Sequence, residues 1–206
     1  MRIGRLNPAF KMSKFILAKK LSMTQIFEED GRVAPVTLVG VEPNVVTRIK
    51  TVGKDGYQSV QVGTGSKKNS GGFKYLREFK ITELNEQPLK EGDKLDVSVF
   101  ESGDMVRVSG VTKGKGFAGA VKRHGFSGMP SSHGHKSVKR HIGSIGQRFP
   151  QHTLKGKRMA GHMGNVNFTV RGLMIARIDN DNQIIAIRGA VPGNAGGLVK
   201  IESISK

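Results

Sequence analysis

The 206-residue sequence contains no cysteine. That excludes a disulfide framework, a thiolate zinc site and a cysteine nucleophile, and it fits a reducing, cytoplasmic setting. Long apolar runs are missing too. The basic opening, MRIGRLNPAFKMSKFILAKK, has no apolar run longer than Phe15–Ala18, too short for a signal-peptide core. Nowhere does the chain approach the roughly 20 apolar residues a spanning helix needs. A membrane is therefore not expected among the partners.

Acidic residues are the most telling shortage. The chain carries 34 Lys+Arg against 16 Asp+Glu, a formal charge of +18. Residues 1–104 hold 17 cations and 13 acids, and residues 179–206 hold three of each. From Met105 to Ile178 there are 14 Lys+Arg, all six histidines and not one carboxylate. A solvated surface normally mixes both signs, so a one-signed block this long points to a polyanionic partner, nucleic acid before membrane.

What is present on either side of that block is strand-like. RVAPVTLVGV, NVVTRIKTV and YQSVQVGTG are β-branched and partly alternating, with Gly, Pro and Asn as punctuation. DKLDVSVF and MVRVSGV follow, with ESGD between them as a hairpin turn. Beyond the block, FTVRGLMIARI and QIIAIRGA are joined by DNDN, and GLVKIESI closes the chain. About eight short strands with little sustained helical periodicity predict a mainly β chain whose strands all share one small closed antiparallel barrel, since closure removes exposed edges. The division is then a 1–12 extension, a barrel from 13–112 and 166–206, and a long basic irregular insertion from 113–165. Gly, Ser, His, Lys and Arg dominate that insertion, which has too little apolar surface to offset an ordering cost of about 1–2 kcal/mol per residue. Alone it should be mobile; order should come with an anionic partner.

The sharper motifs, most of them inside the insertion, are weak signals. Gly114, Gly116 and Gly119 spell G-x-G-x-x-G, but a dinucleotide site needs a βαβ unit and an acid some 20 residues on. The next acid is Asp179. What the glycines offer is backbone that phosphate can approach, with Lys113 and Lys115 interleaved. His124, His133, His135 and His141 lack the cysteine or carboxylate companions of a metal site, so no metal is expected. DNDNQ at 179–183 has Ile184 where a calcium loop needs Gly, and reads as a turn. No nucleophile–base–carboxylate set can be assembled, so neither an enzyme nor a cofactor is expected. Phe117, Phe126 and Phe149 read as small local hydrophobic anchors, the alternative being stacking on unpaired bases.

Taken together, GVTKGKGFAGAVKRHGF, SHGH, GSIGQ, KGKRMAGHMGN and RGAVPG resemble, in order, the universal large-subunit ribosomal protein conventionally numbered three. The opening KFILAKKLSMTQIFEEDGRVAPVTLV is similar to that family's first strand pair, and the likeness spans about residues 13–203. Two positions depart from the family pattern: Arg107 stands where Asp or Asn is usual, and Ser22 where Gly is.

The resemblance implies a translation-protein-type β-barrel on the large ribosomal subunit, with the insertion running as a finger through ribosomal RNA toward the peptidyl transferase centre. It also implies an early part in subunit assembly, and partners that are large-subunit RNA and neighbouring ribosomal proteins. A finger of 53 residues, folded back on itself, could reach at most roughly 80–90 Å at about 3.3 Å per residue. Its expected RNA-binding groups are Lys113, Lys115, Lys122, Arg123, His124, His133, His135, Lys136, Lys139, Arg140, His141, Arg148, Lys155, Lys157 and Arg158. Gln147, in GSIGQ, matches a glutamine that is N-methylated in some bacteria, which implies a glutamine methyltransferase as a further partner. Two rival readings stand beside this one, a nucleotide-dependent enzyme built on the three glycines and a general nucleic-acid-binding protein outside the ribosome.

Overall fold

A computed structural model describes residues 14–28, 30–67, 71–80 and 89–204. The expected 1–12 extension lies outside them. In chain order the strands are β1 (Phe15–Phe27), β2 (Val33–Gly40), β3 (Asn44–Lys50), β4 (Ser59–Ser66), β5 (Phe73–Lys80), β6 (Lys94–Leu95), β7 (Met105–Val111), β8 (Phe117–Ala118), β9 (Gly161–His162), β10 (Asn167–Asp179), β11 (Ile184–Arg188) and β12 (Leu198–Ser203). The helices are short: α1 (Val52–Asp55), α2 (Ala120–His124) and a 3₁₀ turn at Val97–Val99. The chain is mainly β, as its alternating β-branched runs predict.

The residues divide into two compact units: Thr112–Val166, and the chain on either side of it. In the latter, six strands close into an antiparallel ring in the order β1-β12-β7-β10-β11-β2. Alternation sends Ile16, Ala18, Val106, Val108, Ile185, Ile187, Val199 and Ile201 into the ring's core. The DNDN turn joins β10 to β11 as predicted. Asp179 Oδ1 accepts the Asp181 and Asn182 N–H groups, each at 3.1 Å. The Asn182 amide donates to Asp179 Oδ2 at 2.8 Å, and these hydrogen bonds hold the Asp179 carboxyl below its ordinary range.

Not every predicted strand joins the ring. β3 and β4 form a separate four-stranded sheet, ordered β5-β4-β3-β6. It packs on the outward side chains of β1: Phe15 and Leu17 share a second core with Val46, Val60, Val62, Phe79 and Leu95. The Phe15 and Phe79 rings stack with centroids 4.5 Å apart. The ESGD hairpin is corrected as well. β6 and β7 do not pair; β6 joins β3 and β7 lies between β12 and β10. Val97–Val99, read as strand from its alternation, is the 3₁₀ turn, which buries Val97 and Phe100 three residues apart. Arg107, the departure from the family pattern, faces Glu202 across β7 and β12 and donates to it through Nε at 2.6 Å.

Candidate nucleic-acid interface

Thr112–Val166 is organised by its backbone, because it has few apolar side chains to bury. Its ends are stitched together. Thr112 N–H donates to Val166 O at 2.9 Å, and Lys115 N–H to Met163 O at 2.9 Å. Met163 N–H returns the bond to Gly116 O at 2.9 Å, and β8 continues the ladder antiparallel to β9. That antiparallel pairing puts the three motif glycines outside any βαβ unit.

Two glycines permit close backbone contacts. Gly164 has φ +76°, and a Cβ there would lie 2.0 Å from Lys113 O. Gly128, at φ +75°, would meet Lys139 O at 2.3 Å, beside the bond from Met129 N–H to that same oxygen.

The predicted RNA-binding residues are spread along this scaffold. Lys113 and Lys115 lead into β8. Lys122, Arg123 and His124 form the last turn of α2, which Gly125 caps in the left-handed conformation. His133, His135, Lys136, Lys139, Arg140 and His141 follow on a run of turns. Arg148, Lys155, Lys157 and Arg158 lie on further turns and bends or beside them. All are exposed except His124 and His135, which are half-buried. Arg123 and His124 also support the scaffold itself, since Nη1 of Arg123 and Nε2 of His124 both reach Met159 O, at 2.9 and 3.0 Å. The arginine thereby fastens α2 to the segment that leads into β9.

Gln147 is exposed and lines an open cavity of about 350 Å³ with Ser144, Pro150, His152, Leu154 and Lys157.

Charge separates the two units. In the strand-rich unit, cations are met by carboxylates: Lys14 by Asp104 and Glu101, Lys19 by Glu42, Arg48 by Asp55, Lys50 by Glu78, and Arg107 by Glu202. Thr112–Val166 has eleven Lys+Arg and no acid to meet them. Eleven like charges on one 55-residue unit repel one another, and an outside anion is what relieves that repulsion.

The phenylalanines overturn one expectation. Phe126 behaves as a local anchor, half-buried with its ring 6.0 Å from that of His124. Phe117 and Phe149 do not, being 80% and 66% exposed. The Arg148 guanidinium sits 5.7 Å from the Phe149 ring centroid, a cation–π contact. His162 is not among the RNA-binding residues predicted from the sequence. It lies 45 residues from Phe117 in the chain and stands opposite it in the β8–β9 register, a relation visible only once that pairing is known.

Comparison with known proteins gives a concordant result. A family model described as "Ribosomal protein L3" matches residues 68–186, which includes the whole of the basic unit. The chain is 43% identical to the large ribosomal subunit protein uL3 of Syntrophus aciditrophicus, over 95% of both chains. It is 41% identical to that of Finegoldia magna, over 94% of this chain and 99% of the relative. For Thioalkalivibrio sulfidiphilus uL3 the identity is 42%, over 90% and 94%.

Proposed function

The chain belongs to the ribosomal protein L3 family, a structural constituent of the large ribosomal subunit and not an enzyme; from that premise we propose that Thr112–Val166 is its direct contact with large-subunit ribosomal RNA. The observation that carries this reading is the eleven cations of the unit, exposed and without one carboxylate among them. Lysine and arginine neutralise phosphates that RNA helices would otherwise crowd together, and the release of counterions supplies affinity. Arginine adds bidentate pairing with phosphate. Recognition on such a surface goes by shape, ribose hydroxyls and unpaired nucleotides more than by helical base edges.

The finer parts of the reading rest on family resemblance. The six-stranded ring is the family's small barrel, and the basic insertion is its finger, extending toward the peptidyl transferase centre of the cytoplasmic ribosome. The protein joins the particle early and helps nucleate its assembly beside neighbouring ribosomal proteins. Gln147, exposed on its turn, is the residue a glutamine methyltransferase modifies.

Ultraviolet crosslinking of the tagged protein in cells, with RNA and peptides both sequenced, tests the proposal. The expected result is large-subunit ribosomal RNA as the dominant species, joined to peptides between Lys113 and Arg158. A scatter of unrelated RNAs and DNAs would overturn it in favour of a general nucleic-acid-binding protein. Peptide mass spectrometry of native protein checks Gln147: a peptide without an added methyl group removes the methylation claim.

A further inference from the structure

The β8–β9 sheet buries Ala118 and exposes its two large residues. Ala118, paired with Gly161, is 4% exposed. Phe117, paired with His162, is 80% exposed, and His162 is exposed with it. Cross-strand partners stand on one face with Cβ atoms about 5 Å apart, so the two aromatic side chains leave the same face of the sheet and both are open to water. In the strand-rich unit Phe15, Phe79 and Phe100 are buried, and its two exposed phenylalanines among the described residues, Phe27 at 69% and Phe168 at 54%, show less of their surface than Phe117.

The surroundings indicate what covers this pair. Lys113 and Lys115 precede Phe117 in the chain. No carboxylate occurs anywhere in the unit. A ligand suited to that setting presents a flat apolar face and a phosphate together.

We propose that Phe117 and His162 form a stacking platform for an unpaired base of single-stranded RNA, with Lys113 and Lys115 meeting the adjoining phosphates. The inference rests on the RNA-binding reading and deepens it by naming the form of RNA taken. Duplex RNA keeps its base faces inside the stack and cannot offer them, whereas any unpaired base has a free face. The platform therefore distinguishes single strands from helices, which the lysines alone do not.

The chain has no tryptophan, so Phe117→Trp installs a single tryptophan, excited selectively over the two tyrosines, at the proposed contact while keeping a stacking ring. The probes are a 12-nucleotide oligouridine and a blunt RNA duplex of equal length, titrated into full-length protein at physiological salt. Oligouridine should quench the tryptophan saturably, and the duplex should not. In the otherwise wild-type chain, Phe117→Leu should weaken labelled oligouridine binding roughly 5- to 100-fold, and His162→Ala should weaken it less, with duplex binding changed under about twofold. Both side chains are exposed, so unchanged circular dichroism and melting temperature are expected. Oligouridine binding without quenching, or equal losses for strand and duplex, overturns the platform. Quenching by polyglutamate reassigns it to an acidic protein partner and overturns it too. If the wild-type chain binds neither RNA, the RNA-binding reading falls and the platform with it. If it binds both RNAs and Phe117→Leu leaves both unchanged, only the platform falls.

Discussion

Asn44 completes the hydrogen bonding of Leu17 where a strand runs out. Its Oδ1 accepts the Leu17 N–H at 3.1 Å and its Nδ2 donates to the Leu17 carbonyl at 2.9 Å. β2, the neighbour on that side of β1, reaches only as far as the Gly40–Lys19 pair. The fully buried side chain of Asn44 stands in for the missing strand, and also donates to Glu42 O at 2.8 Å.

Asn44→Leu fills similar volume but leaves both polar groups of Leu17 unpaired in the interior. Each buried unsatisfied group costs about 1–3 kcal/mol. We expect a loss of roughly 2–4 kcal/mol, seen as a lower urea midpoint at unchanged slope. A loss below about 0.5 kcal/mol would mean that Leu17 finds other partners.

Gly164→Ala should damage only the basic unit. The added carbon would fall on Lys113 O, at a φ that also disfavours alanine. The Lys115–Met163 backbone pair should then open, with hydrogen exchange at those amides at least about tenfold faster, equivalent to about 1.4 kcal/mol. Exchange in the ring strands should stay unchanged.

Lys14 sets an alkaline limit. Burial alone would lower its pKa, but hydrogen bonds to Asp104 at 2.8 Å and Glu101 at 3.2 Å outweigh burial and raise it above 10.5. A cation whose folded pKa is raised contributes stability that is fully present below the unfolded value and lost as pH rises through the folded one. The melting temperature should therefore fall above about pH 10.5, and Lys14→Met should fall less steeply there from a lower starting point. Parallel curves would show that Lys14 is not the titrating group.

Salt dependence tests the phosphate-facing role of the lysines. Replacing Lys113, Lys115 and Lys122 by glutamine should weaken RNA binding and flatten its log–log slope by roughly 0.7–0.9 for each phosphate no longer neutralised. Arg123, although part of the same predicted set, is better spared, since it also holds Met159 O. An unchanged slope would mean that these lysines do not face phosphate.

Much of the strand content, and the charge pattern of the candidate interface, is legible in the sequence because it depends on local chemistry. The Asp179–Asn182 turn follows from side chains that bond their own backbone, and the charge segregation follows from counting. Assignment of strands to sheets is not legible there. β3 and β4 alternate much as the ring strands do, and alternation shows that one face is buried without saying against what. Val97, Val99 and Phe100 fit both a strand and a tight turn, and tertiary burial of Val97 and Phe100 decides between them. Phe117 misleads for a related reason. Its apolarity suggests burial, while its exposure depends on pairing with a segment some 45 residues away.

β1 has a wet end and a dry one. At the dry end, Phe15–Ala18 is a party wall: Ile16 and Ala18 belong to the ring's core, Phe15 and Leu17 to that of the second sheet. Neither sheet can let go of this wall without exposing the other's interior, so the two should melt as one and the amides of these four residues should be among the last to exchange. Truncations along the wall would wound the two cores by turns, odd positions one and even positions the other.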